Sequence, residues 1–208
     1  ESAVGAWPVM KKYAVPMVMG QEIEHPADVA KLLKLIRGNE MAKAGIENAV
    51  WDLFAKAEAK SLKEMIGGVR DRVAVGVSIG IQPSVEGLLA RIGGFVEQGY
   101  GRIKIKIKKG LEYELMSAAR REFPETMLMA DANSDYELSD VDLLKRLDEL
   151  DLLMLEQPLR YYDIIDHAKL QAQLETAVCL DESIHRPDDA RYAIELNACR
   201  IINMKVGR

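Results

Sequence analysis

GRIKIKIKKG, residues 101–110, alternates apolar and charged side chains. Successive side chains on a strand point to opposite faces. Ile103, Ile105 and Ile107 therefore share one face, and Lys104, Lys106 and Lys108 share the other. On a half-buried antiparallel strand the lysines would face water. On a strand covered on both sides they would face something inside the protein.

The flanking sequence favours the second case. After Gly67-Gly68, strand-like runs alternate with helix-like runs. The strand-like runs are VAVGVSIGI, RIKIKI, MLMAD, LLMLEQ, AVCLDES and IINMK. Between them lie SVEGLLARIGGFVEQG, LEYELMSAARREF, SDVDLLKRLDEL, DIIDHAKLQAQL and RPDDARYAIEL. Ser139 suits an N-cap and Pro187 a first helical turn. The strands are nearly continuous apolar runs, as burial on both faces requires. Strand–helix–strand repetition implies a parallel sheet. The isoleucines then pack outward on helices and the lysines point into the interior.

Ahead of Gly67 the chain reads as helical. HPADVAKLLKLI has Pro26 near its start. MAKAGIENAVWDLFAKAEAK sets Ile46, Ala49, Val50, Leu53, Phe54 and Ala57 on one stripe. We therefore expect a mainly helical domain over residues 1–70 and a β/α domain over 71–208.

The 208 residues are enough for one or two domains, with 49% hydrophobic and 29% charged side chains. A net charge of −5 argues against general nucleic-acid binding. No apolar run approaches the roughly 20 residues that cross a bilayer. We see no signal peptide. Cys179 and Cys199 have no metal-site spacing and lie among apolar residues, which reads as two reduced thiols in a cytoplasmic protein.

Charges recur at the strand ends. Lys106 to Asp131, Asp131 to Glu156, and Glu156 to Asp181 are steps of 25 residues, and Asp181 to Lys205 is 24. One strand plus one helix per step is an internal period. Equal steps predict equal heights on neighbouring strands. In a β/α barrel those C-terminal ends form the mouth, where catalytic groups collect. Three adjacent carboxylates repel one another, and a hard divalent cation relieves that. Asp131, Glu156 and Asp181 suit octahedral Mg²⁺, or Mn²⁺ in its place. A lysine partly desolvated beside a cation and another lysine should lose its proton more easily and serve as a general base. Such a site would take a small-molecule carboxylate and steady the enediolate left when its α-proton departs.

The ordered set KIK (Lys104, Lys106), DAN (Asp131 to Asn133), LEQP (Glu156), CLDES (Asp181) and NMKVGR (Lys205) resembles the enolase superfamily, muconate-lactonising subgroup. GNEMAKAGIENAVWDLFAK, residues 38–56, resembles the capping-domain helices of these proteins. CLDESI and Asn203 are most similar to the o-succinylbenzoate synthases and N-acylamino acid racemases. Enolase-superfamily sites pair a Lys or His base with Mg²⁺. The resemblance implies a TIM-like β/α barrel with six strands present and a partial helical N-terminal capping domain. It implies that Lys106 and Lys205 flank the substrate α-carbon, that Lys104 tunes Lys106 and contacts the substrate carboxylate, and that Asp131, Glu156 and Asp181 bind Mg²⁺. Asn133, Ser78 and Asn203 stand as supporting or substrate-contacting residues. In a synthase Lys106 takes the α-proton and returns it to the departing hydroxyl. In a racemase the two lysines exchange protons on opposite faces.

The chain departs from this family in two ways. Val206 follows Lys205 where relatives often carry proline. Barrel strands seven and eight and the opening of the capping domain are missing, so we expect the sequence to be part of a longer chain that forms a homo-oligomer, with no nucleic-acid or membrane partner. Two other readings fit fewer residues. A Schiff-base aldolase could use Lys205 but leaves the carboxylates unexplained. A structural ion cluster explains the charges, yet such clusters seldom stabilise better than apolar packing. His25, His167 and His185 read as non-catalytic, with His185 on a surface loop. Lys108 and Lys109 read as a solvated loop, and Met10, Met17, Met19, Met127, Met129 and Met154 as core filler.

Overall fold

The structure is a computed structural model and describes residues 2–207. The chain divides into two compact units. One runs through Val73 and takes in the segment from Lys205 onward; the other is Ala74–Met204. The segment from Lys205, read from sequence as part of the β/α domain, thus groups with the first unit.

The first unit is helical, with α1 (Ala3–Val9), α2 (Val15–Val18), α3 (Asp28–Leu32), α4 (Glu40–Ala57) and α5 (Leu62–Met65). A π-helical stretch, Met10–Ala14, joins α1 to α2. Pro16 has no N–H to continue a regular ladder there, a common setting for such a widening. Ala14, Val29 and Leu33 form a small core, against which Ile46 and Val50 of α4 pack. The predicted α4 stripe is only partly used: Leu53 is 62% exposed, and the residues α4 buries are Ala42 and Ala55.

The second unit carries six strands: β1 (Val77–Ile79), β2 (Arg102–Lys106), β3 (Met127–Asp131), β4 (Leu155–Glu156), β5 (Val178–Leu180) and β6 (Ile201–Ile202). They pair in sequential order, and every pairing is parallel. Helices α6 (Val85–Glu97), α7 (Glu112–Glu122), α8 (Val141–Lys145), α9 (Ile165–Gln171) and α10 (Pro187–Glu195) fill the crossovers. The outer face of the sheet meets these helices. Ile103, Ile105 and Ile107 are buried in one core with Leu88 and Ile92 of α6 and Leu115 and Met116 of α7. The apolar half of the 101–110 pattern thus faces the helices.

Pro187 opens α10 as expected. Ser139 does not cap α8. It lies inside a 3₁₀ turn, Leu138–Asp140, where the Asp140 carboxylate accepts from the Glu137 N–H at 3.1 Å. Carboxylate capping of a turn removed the need for the serine.

Candidate active site

The inner face of the sheet encloses a cavity of about 330 Å³, lined by Ser78, Arg102, Lys104, Met129, Met154, Glu156, Cys179 and Asn203 among others. Met129 and Met154 line this space instead of filling the outer core. Strand alternation puts Lys106 on the same face as Lys104, and Asp131 on that of Met129. The register levels Ser78 with Lys104, Lys106 with Asp131, and Asp131 with Glu156.

The level row ends there. Glu156 pairs with Cys179, so Asp181 lies two residues further along β5. An offset of two keeps it on the same face. Asn203, two residues past the Cys179 partner Ile201, is the residue level with Asp181. Equal sequence steps overlooked this offset because level positions on β4 and β5, Glu156 and Cys179, are 23 residues apart and not 25. Lys205 lies beyond β6 in the segment that groups with the helical unit.

Asp131, Glu156 and Asp181 are each no more than 2% exposed. Lys104 Nζ bridges two of them, at 3.0 Å from Asp131 Oδ2 and 2.9 Å from Glu156 Oε2. Lys106 Nζ is 4.0 Å from Asp131 Oδ2 and donates to Asn133 Oδ1. Asn133 donates in turn from Nδ2 to Glu182 Oε1 at 3.0 Å, and its backbone N–H donates to Asp131 Oδ1 at 3.2 Å. Asn203 Nδ2 donates to Glu156 Oε1 at 2.9 Å. Burial works to lower the Lys104 pKa, but its hydrogen bonds to Glu156 and Asp131 outweigh that and hold it above the ordinary lysine value. Lys104 is therefore a fixed cation, and the expected loss of a proton does not apply to it.

Among the described residues no three acidic, histidine or cysteine side chains already converge as a metal centre. Lys104 stands between two of the carboxylates instead. The donor set still fits a hard divalent cation. It is all oxygen, it lies on one inner face, and three buried carboxylates stand there with one ammonium shared by two of them.

Sequence reasoning missed a buried polar network beside this row. Gln157 is fully buried at φ 39°, a left-handed backbone. Pro158 disfavours the right-handed helical alternative there. The Gln157 amide bonds both to Ser183 and to the backbone of Leu159, Arg160 and Asp181. Ser183 Oγ donates to the Asp163 carbonyl at 3.2 Å. His167 is fully buried too: Nε2 accepts from the Leu159 N–H at 3.1 Å, and Nδ1 lies 2.6 Å from the Asp163 carbonyl. An accepting Nε2 leaves the proton on Nδ1, so the ring is neutral. Burial pushes its pKa below the ordinary histidine value. The glutamine between Glu156 and Pro158 was the one available sign of this network. His185 is exposed, and its backbone N–H donates to Asp189.

A sequential parallel sheet with helical crossovers and charged residues at its strand ends defines a β/α-barrel class of protein. The comparisons narrow the class. A profile described as "Enolase C-terminal domain-like" matches residues 88–208, and one described as "Mandelate racemase / muconate lactonizing enzyme, N-terminal domain" matches 3–67. The chain belongs to the enolase superfamily, in its muconate-lactonising subgroup. It is 51% identical over 202 residues to an o-succinylbenzoate synthase of Geobacillus stearothermophilus, covering 97% of this chain and 54% of that protein. It is 50% identical over 208 residues to an N-succinylamino acid racemase of Thermus thermophilus, covering 100% of this chain and 56% of that protein. A crystal structure of an enolase-superfamily member from Listeria innocua superposes with a TM-score of 0.95 at 45% identity, covering 100% of this chain and 56% of that one. The chain thus spans about half the length of the curated relatives it matches.

Proposed function

We propose that the protein is a Mg²⁺-dependent lyase that removes the proton α to a carboxylate and expels a hydroxyl, an o-succinylbenzoate synthase-like dehydration in menaquinone biosynthesis. One observation carries the reading: Lys104 bridges buried Asp131 and Glu156, with Lys106 beside Asp131, in a chain half identical to such synthases. Asp131, Glu156 and Asp181 would hold Mg²⁺, which when bound supplies Lewis-acid charge for the substrate carboxylate. Lys104, kept charged by its two carboxylates, attracts the same carboxylate. Lys106, as the free amine, takes the α-proton and gives it to the departing hydroxyl. The C–H and C–O bonds break, a C=C bond forms, and water leaves. Asn133 fixes the Lys106 nitrogen, and Lys205 steadies the enolate charge. The two free thiols, Cys179 and Cys199, are in keeping with a cytoplasmic location.

The Thermus relative favours a second reading, racemisation of an N-succinylamino acid, with Lys106 and Lys205 exchanging protons on opposite faces. The test is to assay the complete protein with Mg²⁺ on both substrates, as wild type and as Lys205→Arg. A guanidinium keeps the charge but not a usable base. The synthase reading expects wild-type dehydration, part of which survives in Lys205→Arg, while racemisation is lost. Substantial racemase turnover by that variant would overturn the two-base assignment. A wild type without dehydration would overturn the synthase reading.

A further inference from the structure

We propose that Gln157 is a positioning residue for the cation site, the amide that fixes the end of the Asp181 strand against the end of the Glu156 strand. The inference rests on the reading of Asp131, Glu156 and Asp181 as carboxylates that hold a divalent cation. Gln157 follows Glu156 directly, and its backbone N–H donates to the Cys179 carbonyl at 2.8 Å. Its side chain reaches further along the same neighbour. Oε1 accepts from the Asp181 N–H at 3.0 Å and the Ser183 N–H at 3.1 Å. Nε2 donates to Ser183 Oγ at 2.7 Å, and more weakly to the Leu159 and Arg160 carbonyls at 3.3 and 3.4 Å.

Both ends of the amide are used, so it cannot flip without opposing donor to donor. The two N–H groups on Oε1 bracket Glu182 and hold the Asp181 backbone in place. The left-handed backbone at Gln157 makes the reach geometrically feasible. It ends β4 and turns the side chain over the end of β5. A non-glycine residue in that conformation carries strain, which persists where surrounding contacts over-determine it.

Gln171 provides an internal control. It is buried as well, and it grips the opposite end of β5. Its Oε1 accepts from the Val178 N–H at 2.7 Å, and its Nε2 donates to the Leu174 and Thr176 carbonyls at 3.3 and 3.2 Å. The two glutamines hold one strand by the same chemistry, but only Gln157 holds the end that carries a carboxylate. Loss of either weakens the fold; loss of Gln157 alone should let Asp181 drift from its partners.

The experiment is a calorimetric Mg²⁺ titration of the complete protein, well below each variant's melting temperature. Gln157→Ala and Gln157→Leu should bind Mg²⁺ about tenfold or more weakly than wild type, the loss typical of groups that orient metal ligands. Gln171→Ala should stay within about threefold. Gln157→Leu keeps most of the buried volume and carries the comparison if the alanine variant does not fold. Amide exchange on the wild type needs no variant: Mg²⁺ should slow the Asp181 and Ser183 amides about tenfold more than it slows Val178. Folded Gln157 variants within threefold of wild type, an equal loss in Gln171→Ala, or Asp181 and Ser183 amides slowed no more than Val178 would each overturn the inference. A wild type that takes up no Mg²⁺ overturns the cation reading itself, a result visible without any variant.

Discussion

At the starts of the strands, charged side chains bond to the backbone; at the ends they bond chiefly to other side chains. Arg120 donates to the carbonyls of Leu150, Pro124, Thr126 and Asp151. Asp148 accepts from the Glu175 and Thr176 N–H groups, and Arg200 donates to the carbonyls of Glu175 and Leu174. These charges close helix-to-strand joints and are used up in doing so. At the other end, Lys104 lies between two buried carboxylates, and Lys106, Asn133 and Glu182 form a chain of side-chain contacts. The backbone differs likewise. Positive φ at Gly99, Asp151 and Asn197 follows helical segments, where left-handed caps are routine. Positive φ at Asn133 and Gln157 follows strands, at residues whose side chains carry the polar network. A charge bonded to the backbone serves the fold, whereas a charge bonded to another charge remains open to a ligand.

The largest expected effect tests the reactive end. Lys106→Ala should lower kcat by about 10²–10⁴-fold, the span of a general base, with Mg²⁺ binding retained. Steady-state kinetics with a parallel titration checks this; an active variant would return Lys106 to a purely structural role.

The next separates the two ends by stability. Lys104→Met leaves two buried carboxylates without their shared cation, at a cost of about 3–5 kcal/mol in metal-free buffer. Mg²⁺ should restore much of that, because it supplies the missing charge. Arg120→Met also destabilises, by leaving carbonyls unmet, but its gain from Mg²⁺ should equal that of wild type. Denaturant unfolding with and without Mg²⁺ reads both. Equal Mg²⁺ increments in the two variants would erase the distinction between the ends.

The smallest effect concerns His167. Its pKa in the folded chain is depressed by burial from the ordinary 6.5, so the unfolded chain binds more protons below that pH. The contribution is complete above about 6.5 and is lost as pH falls from there toward the depressed value. Asp163 and Asp166 oppose the shift, which limits its size. Melting curves between neutral and mildly acidic pH should show a drop that His167→Gln reduces. An unchanged slope in that variant would place the pH response elsewhere.

Much of this was legible in the sequence. The strand–helix alternation predicted a parallel sheet, and the KIK pattern predicted which face the lysines take. The 25-residue steps brought Lys106, Asp131 and Glu156 level, as the register has them. The same steps erred at Asp181, because spacing counts residues and cannot see a register shifted by two. The Gln157 network was hidden for a similar reason. Its distant partners, Asp181 and Ser183, lie 24 and 26 residues on, and a lone glutamine carries no periodic signal. Leu53 read as core because an apolar stripe does not reveal which part of it meets a neighbour.

The central claim is that the carboxylates at the strand ends form a cation site now bridged by Lys104. A crystal structure of the complete protein grown with Mg²⁺ tests it most directly. The account predicts one ion bound by oxygens of Asp131, Glu156 and Asp181 at roughly 2.0–2.2 Å, with Lys104 drawn away from at least one of its two carboxylates. Strand ends without an ion at saturating Mg²⁺, with Lys104 still bridging Asp131 and Glu156, would contradict it.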